Sequence, residues 1–290
     1  MKIRFWGVRG SFAMSGREFL RYGGNTTSVE LITSAKQRLL IDLGTGATEL
    51  AKQLVGSEFG KGKGTLPILL SHTHLDHIQG LPFFTPFFIK GNQIRILGAA
   101  PLMRSASSAG IEPSGISLEA TLQNQLAPHY SPLNGLENLA AGVTIETITP
   151  GETLALPGFE VATAAVPHGS MLTTAYRITA DDKTVTFLSD VEYASIDEPL
   201  PEALALAHEA DLLIHDAMHA DHDYNLRKGW GHSPARAGVV VAERAGAKKL
   251  ALFHHSPDAT DDMIDQVVAR TAAQTRVPVI AAAEGNYLDV

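Results

Sequence analysis

The sequence predicts an α/β fold of layered strands and helices. Three observations carry that expectation. Short β-type runs recur along the chain, helical patterns lie between several of them, and the composition (44 % hydrophobic, 19 % charged) is that of an ordinary globular protein. With 290 residues there is ample chain to bury a core.

In chain order, strands are expected at 3–6, 28–32, 39–42, 66–70, 94–97, 144–147, 160–165, 175–179, 184–188, 212–215, 249–253 and 277–281. Helices are expected at 46–55, 201–210, 234–245 and 261–271. The third has clear end signals, with Ser233 as N-cap, Pro234 at its first position and Gly246 near its end. The segment 98–141 is different: it is rich in Ser, Pro, Asn and Gly, with weak helical periodicity around 102–107 and 116–126. It reads as a surface excursion or partial cap on one domain spanning 1–290.

Charge and composition narrow the function. The net charge is -8, with 31 acidic against 23 basic residues, which argues against a dedicated binder of phosphate backbones. Stable nucleic-acid binding is therefore not expected, whereas a small anion held by local cations remains compatible. There are no cysteines, so any metal must be held by nitrogen and oxygen. The opening MKIRFWGVRGSF has no 7 to 15-residue apolar stretch of the signal-peptide kind. No apolar run approaches the ~18 residues of a membrane span. A cytoplasmic protein is the expectation.

The chemistry concentrates in LLSHTHLDHIQG (69–80), where His72, His74, Asp76 and His77 follow a buried strand. Side chains two apart in extended chain point the same way, so His72 and His74 can reach one ion. Asp76 and His77 fall where a helix could begin and would face a second ion. Zinc accepts imidazole and carboxylate together at about 2.0–2.2 Å. By composition alone such a match arises on the order of once in a thousand sequences. Solvated or core histidines are the plainer reading, but crowding four ionisable groups after an apolar strand is costly unless something coordinates them. One loop cannot complete two sites. Further candidates sit at other strand ends: His168 in VPHGS, Asp190 in FLSDVE, and His254 and His255 in LFHHSPD. Adjacent residues on a strand face opposite ways, so only one of the last two should ligate.

The order H-x-H-x-D-H (72–77), then His168, Asp190 and His254, resembles the metallo-β-lactamase superfamily, over about residues 2–262. The resemblance implies a four-layer αββα sandwich of two mixed sheets with a two-metal edge site. It implies that His72, His74 and His168 hold one divalent ion, that Asp76, His77 and His254 hold the other, and that Asp190 bridges. Zinc is the expected ion; manganese and iron also suit such donors. Asp42 in IDLGTG would be a buried support, and Asn25 in GGNTTSVE would border the site.

Within that superfamily, redox di-iron members resemble this pattern but carry Glu at the position of His74. LLIHDAMH (212–219), KGWGHSPARAG (228–238) and LALFHHSP (250–257) are instead similar to the ribonuclease Z and class II cyclic-nucleotide phosphodiesterase branch. Carried over, Asp216 would orient His232 and His232 would protonate the leaving oxygen. Ribonuclease Z usually has Glu where Asp216 stands, and its basic arm has no counterpart in this chain. The implied reaction is hydrolysis of a small phosphodiester such as a cyclic nucleotide, by a hydroxide bridging two cations about 3.5–4 Å apart, with Asp76 also in the catalytic centre. Arg177 in AYRI could steady phosphate or be an ordinary strand residue, and LPFFTPFF (81–88) could wall the site or pack the core. A ribonuclease Z-like RNA endonuclease, a lactone or thioester hydrolase, and a non-catalytic metal-dependent binder are the alternatives. The branch also resembles homodimer-formers.

Overall fold

The computed structural model describes residues 1–104, 111–285 and 287–290. Its strands are β1 (Lys2–Gly7), β2 (Ser28–Ile32), β3 (Arg38–Ile41), β4 (Thr65–Leu70), β5 (Gln93–Gly98), β6 (Leu102–Arg104), β7 (Ile111–Pro113) and β8 (Gly142–Thr147). They continue with β9 (Thr153–Leu156), β10 (Phe159–His168), β11 (Met171–Ala180), β12 (Lys183–Leu188), β13 (Leu212–Asp216), β14 (Leu250–Phe253), β15 (Val279–Ala281) and β16 (Tyr287–Asp289). One sheet has the order β16-β1-β2-β3-β4-β5-β8, and the other β15-β14-β13-β12-β11-β10-β9 with the β6–β7 hairpin attached to β11. Both are mixed. The β3-β4-β5-β8 half of the first and the β12-β13-β14-β15 half of the second are parallel.

Alternation along single strands builds the layers. In β3, Leu39 and Ile41 enter the core between the sheets, while Leu40 packs on the outer side. In β13, Leu212 and Ile214 face inward and Leu213 outward. Side chains of a strand point alternately to its two faces, so a strand apolar at every position is buried on both. The outer face of the first sheet is covered by α1 (Ala47–Val55), α2 (Leu75–Ile78) and α3 (Leu118–Gln125). Ala47, Leu50, Ala51 and Leu54 of α1 make the buried stripe expected of a 3.6-residue repeat. The outer face of the second sheet is covered by α4 (Pro201–Ala207), α5 (Ala235–Ala245) and part of α6 (Asp261–Ala272). The result is a four-layer αββα sandwich. Each large core side chain such as Phe253 contributes about 1.5–3 kcal/mol by leaving water.

Several expectations need correction. Residues 102–104 form β6, not a helix: Leu102 and Met103 pair with Leu172 and Met171, an overhang of β11 that local periodicity does not register. Residues 105–107 of that expectation lie outside the described residues. Ser233 does not cap α5. Pro234 occupies the cap position, no side-chain cap bond forms, and Ser233 Oγ donates to the Val191 carbonyl at 2.5 Å. Gly246 ends the helix in the left-handed region, as expected. Of the two readings of Arg177, the ordinary strand residue is the one its contacts match: its guanidinium donates to the carbonyls of Leu206 and His208 at 2.7 Å, sealing the end of α4. In LPFFTPFF the core-packing reading holds: Leu81, Phe84 and Phe87 pack the core, and Phe83 is exposed. Among the described residues, no helix is long and apolar enough to cross a membrane.

Candidate metal centre

Parallel strands deliver their C-terminal ends to one edge, and that edge carries the chemistry. After β4 the chain turns through Ser71–His74 with His74 still extended, and α2 begins at the next residue. Asp76 and His77 therefore swing back over the strand end. On the second sheet, β10 ends in His168, β12 is followed by Asp190, β13 ends in Asp216, and β14 is followed by His254.

These residues meet. Ligand atoms of His72, His74 and His168 lie within 4.8 Å of one another, as do those of Asp76, His77, Asp190 and His254. A third grouping, Asp190, Asp216, His232 and His254, overlaps the second. Asp190 stands between the first two. Its Oδ1 lies 4.0 Å from His72 Nε2, 3.9 Å from His168 Nε2 and 3.3 Å from His254 Nε2, and its Oδ2 is 3.4 Å from His77 Nε2. All are buried except His74, which opens to solvent. His255 turns away, its Nε2 bonded to the Ala282 carbonyl at 3.1 Å.

The donor set fits a divalent metal. His72 Nε2 and His77 Nε2 are buried with no hydrogen-bond partner, an expensive state unless a cation meets them. Outer partners hold the rings by their other nitrogens: Asp42 Oδ2 lies 2.8 Å from His77 Nδ1, and the Gly231 carbonyl lies 2.6 Å from His168 Nδ1. Asp42 is in turn bonded by the Ser71 amide and hydroxyl. The Ser11 amide donates to Asp76 at 2.8 Å. Gly231 has a φ of 91°, and a Cβ there would sit 2.2 Å from His168 Nδ1, so glycine is required. Asp42, Asp190 and His254 are themselves left-handed, a strain characteristic of functional sites.

Burial penalises charge on every group, and the net shift shows which neighbour overrides it. Burial drives His72 well below the ordinary imidazole value and His74 down to about 4, with facing histidine rings acting the same way. His168 is lowered by burial as well. These three rings stay neutral, as metal ligands must. Burial also opposes charge on His77, but Asp190, Asp76 and Asp42 outweigh it and raise that ring well above its usual range. Burial would raise Asp76 and Asp190, yet the His77 and His254 rings hold both carboxylates low. The second cluster is thus a socket for positive charge.

Beside the clusters, His232 Nδ1 lies 2.8 Å from Asp216 Oδ2. Burial alone would lower His232, but the Asp216 carboxylate raises it to about 9. Asp216 also accepts from the amides of Asp190, Met218 and Ser233, and with His232 beside it the carboxylate is held low despite burial. A cavity of about 500 Å³ opens here, lined by His74, His168, His232, Phe12, Trp230 and Arg227 among others. Phe12, Trp230 and Arg227 were not singled out from sequence as site residues. An exposed tryptophan between two glycines, in KGWGH, was the available signal. Asn25 bonds Glu284 and Thr45 with its side chain.

A model of the β-lactamase superfamily domain matches residues 37–255. The chain belongs to the β-lactamase superfamily. One of its superfamily relatives is a ribonuclease Z of Halorubrum lacusprofundi, 28 % identical over 82 % of this chain and 85 % of the relative. Among solved structures, the metallo-β-lactamase fold protein YhfI of Bacillus subtilis superposes with a TM-score of 0.70 at 19 % identity, covering 99 % of this chain and 98 % of the other. A diphosphatase from the PhnP family superposes with a TM-score of 0.65 at 18 % identity, over 100 % of this chain and 97 % of the other. Both likenesses concern the fold, and they agree with the four-layer sandwich.

Proposed function

We propose that this metal-dependent hydrolase cleaves a small phosphodiester, such as a cyclic nucleotide or an aryl ester, with His232 protonating the departing oxygen. The observation that carries the reading is the Asp216–His232 pair, whose histidine opens onto the same cavity as His74 and His168 while Asp216 is buried behind it. In the proposed assignment His72, His74 and His168 hold one ion, Asp76, His77 and His254 a second, and Asp190 stands between. Zinc suits this donor set, and manganese or iron is also compatible. Bound ions of this kind supply Lewis acidity toward a phosphoryl oxygen and an activated water.

The chain's own residues do the rest. His232 keeps its proton through neutral pH because Asp216 stabilises the imidazolium. With Nδ1 engaged by Asp216, its Nε2 proton is the one to transfer. Asp216, saturated by three amides and one imidazole, stays ionised and fixes the ring. Phe12 and Trp230 offer apolar faces to a base or aryl group.

The size and charge of the cavity favour a small substrate. About 500 Å³ lies in the range of small-molecule sites. Its lining holds a single guanidinium, Arg227, with Asp258 opposing it, whereas a polynucleotide grip needs several cations. The ribonuclease Z relative favours an RNA endonuclease as second reading. Assays of the metal-loaded protein on bis-p-nitrophenyl phosphate, a cyclic nucleotide and a precursor tRNA separate the two. Turnover of the small esters is expected; cleavage of the RNA alone would replace the first reading with the second. A protein active only on lactones or thioesters would remove both.

A further inference from the structure

A second cavity, of about 350 Å³, lies next to the first, between residues 217–227 and α6. The two share Met218, His219, Arg227, Ser256 and Asp258, so only a thin wall of side chains divides them. Arg227, Ser256 and Asp258 are polar members of that wall, and His219 is its buried imidazole. It is 5 % exposed, and neither ring nitrogen has a hydrogen-bond partner. Buried polar groups are nearly always met by something, so two unmet nitrogens on one ring point to a ligand that meets them. The ring stands edge-on to His232 and Trp230, with centroids 5.7 and 6.4 Å away. Beyond it Leu252, Ile264 and Val267 give the cavity an aliphatic floor, and its charged lining is two guanidiniums, Arg227 and Arg270, with two carboxylates, Asp223 and Asp258. Among the described residues Arg270 has no ion-pair partner, and Arg227 has only Asp223 at 3.7 Å.

We propose that this cavity receives the body of the leaving group, a flat ring-bearing alcohol with an anionic or acceptor edge, and that His219 selects it. The inference rests on the phosphodiester reading. The oxygen that takes the His232 proton must carry its substituent away from the metal clusters, and the His219 ring, 5.7 Å from that of His232, lines both cavities. Arg270, without an ion-pair partner among the described residues, suits an acceptor at the edge of the ring, and the aliphatic floor suits its face.

The test is binding of p-nitrophenolate to the protein with its metals, followed through Trp230 fluorescence; the other tryptophan, Trp6, is buried. Saturable quenching is expected in the natural protein. His219→Phe, which keeps the ring and removes both nitrogens, should weaken binding about tenfold, and His219→Gln should restore it to within about threefold. Val267→Phe, which fills the floor and leaves His219 in place, should also weaken it about tenfold. In turnover, His219→Phe should raise KM for bis-p-nitrophenyl phosphate about tenfold while kcat changes less than about threefold. No saturable quenching, or one binding curve shared by all four proteins, overturns the proposal. Binding through His219 in a protein that cleaves no phosphodiester would sink the proposed function and leave the cavity as an aromatic-anion site.

Discussion

The two sheets reach the same centre by different routes. The first contributes His72, His74, Asp76 and His77 from one turn after β4, so their relative positions are fixed by local backbone geometry. The second contributes His168, Asp190, Asp216 and His254 from four strand ends, so their positions depend on register, such as Asp216 opposite Phe253. A one-residue slip would turn every such side chain to the other face. The first half can therefore be disturbed one residue at a time, whereas the second works only if its whole sheet is correctly paired.

Substitutions can break or sharpen that contrast. The largest effect is expected at Asp190, which faces both clusters. Asp190→Ala should cut turnover by about a thousandfold or more and lower bound metal per chain, read by elemental analysis. Full metal occupancy in that variant would refute the bridging position. Next, His232→Ala should lower kcat on small phosphodiesters by about 10²–10⁴-fold with metal content unchanged, because only proton donation is lost. Smaller is Asp42→Asn, which keeps shape but weakens the hold on His77. Metal affinity, measured by chelator competition, should fall about 10–100-fold. The smallest is a displacement in pH. His232, raised to about 9, keeps its proton below that value, so turnover should fall only as pH rises through about 9. In Asp216→Asn the raising carboxylate is gone, and the alkaline limb should move to lower pH; an unmoved limb would assign it to another group.

The first half was the more legible. A compact H-x-H-x-D-H after an apolar run advertises itself, and strands such as β4, β13 and β14 were visible because burial on two faces makes their sequences largely apolar. His168, Asp190 and His254 each look ordinary alone, and only the expected convergence of strand ends singled them out. What stayed hidden depends on non-local partners. The short edge strands β9 and β16 have only three or four residues of pattern, and β6 exists because β11 offers it an edge. Arg177 resembled a ligand-binding residue in AYRI, but its distant carbonyl acceptors on α4 decide its role. The Ser11 amide is backbone, and no side-chain pattern could reveal its bond to Asp76.

Two residues before Ser11, Arg9 is fully buried over the Phe19 ring, and its guanidinium donates to the carbonyls of Gly23, Ser256 and Ala259. One planar fork thereby laces the first loop of the chain to the loop after His254, and both border the cavity. A lysine could keep the charge but could not span three acceptors. Arg9→Lys should loosen that rim without touching any ligand, so affinity for substrate would slacken while the ions stay seated. Grip on the substrate and grip on the metal are then adjustable apart, from opposite ends of a single short loop.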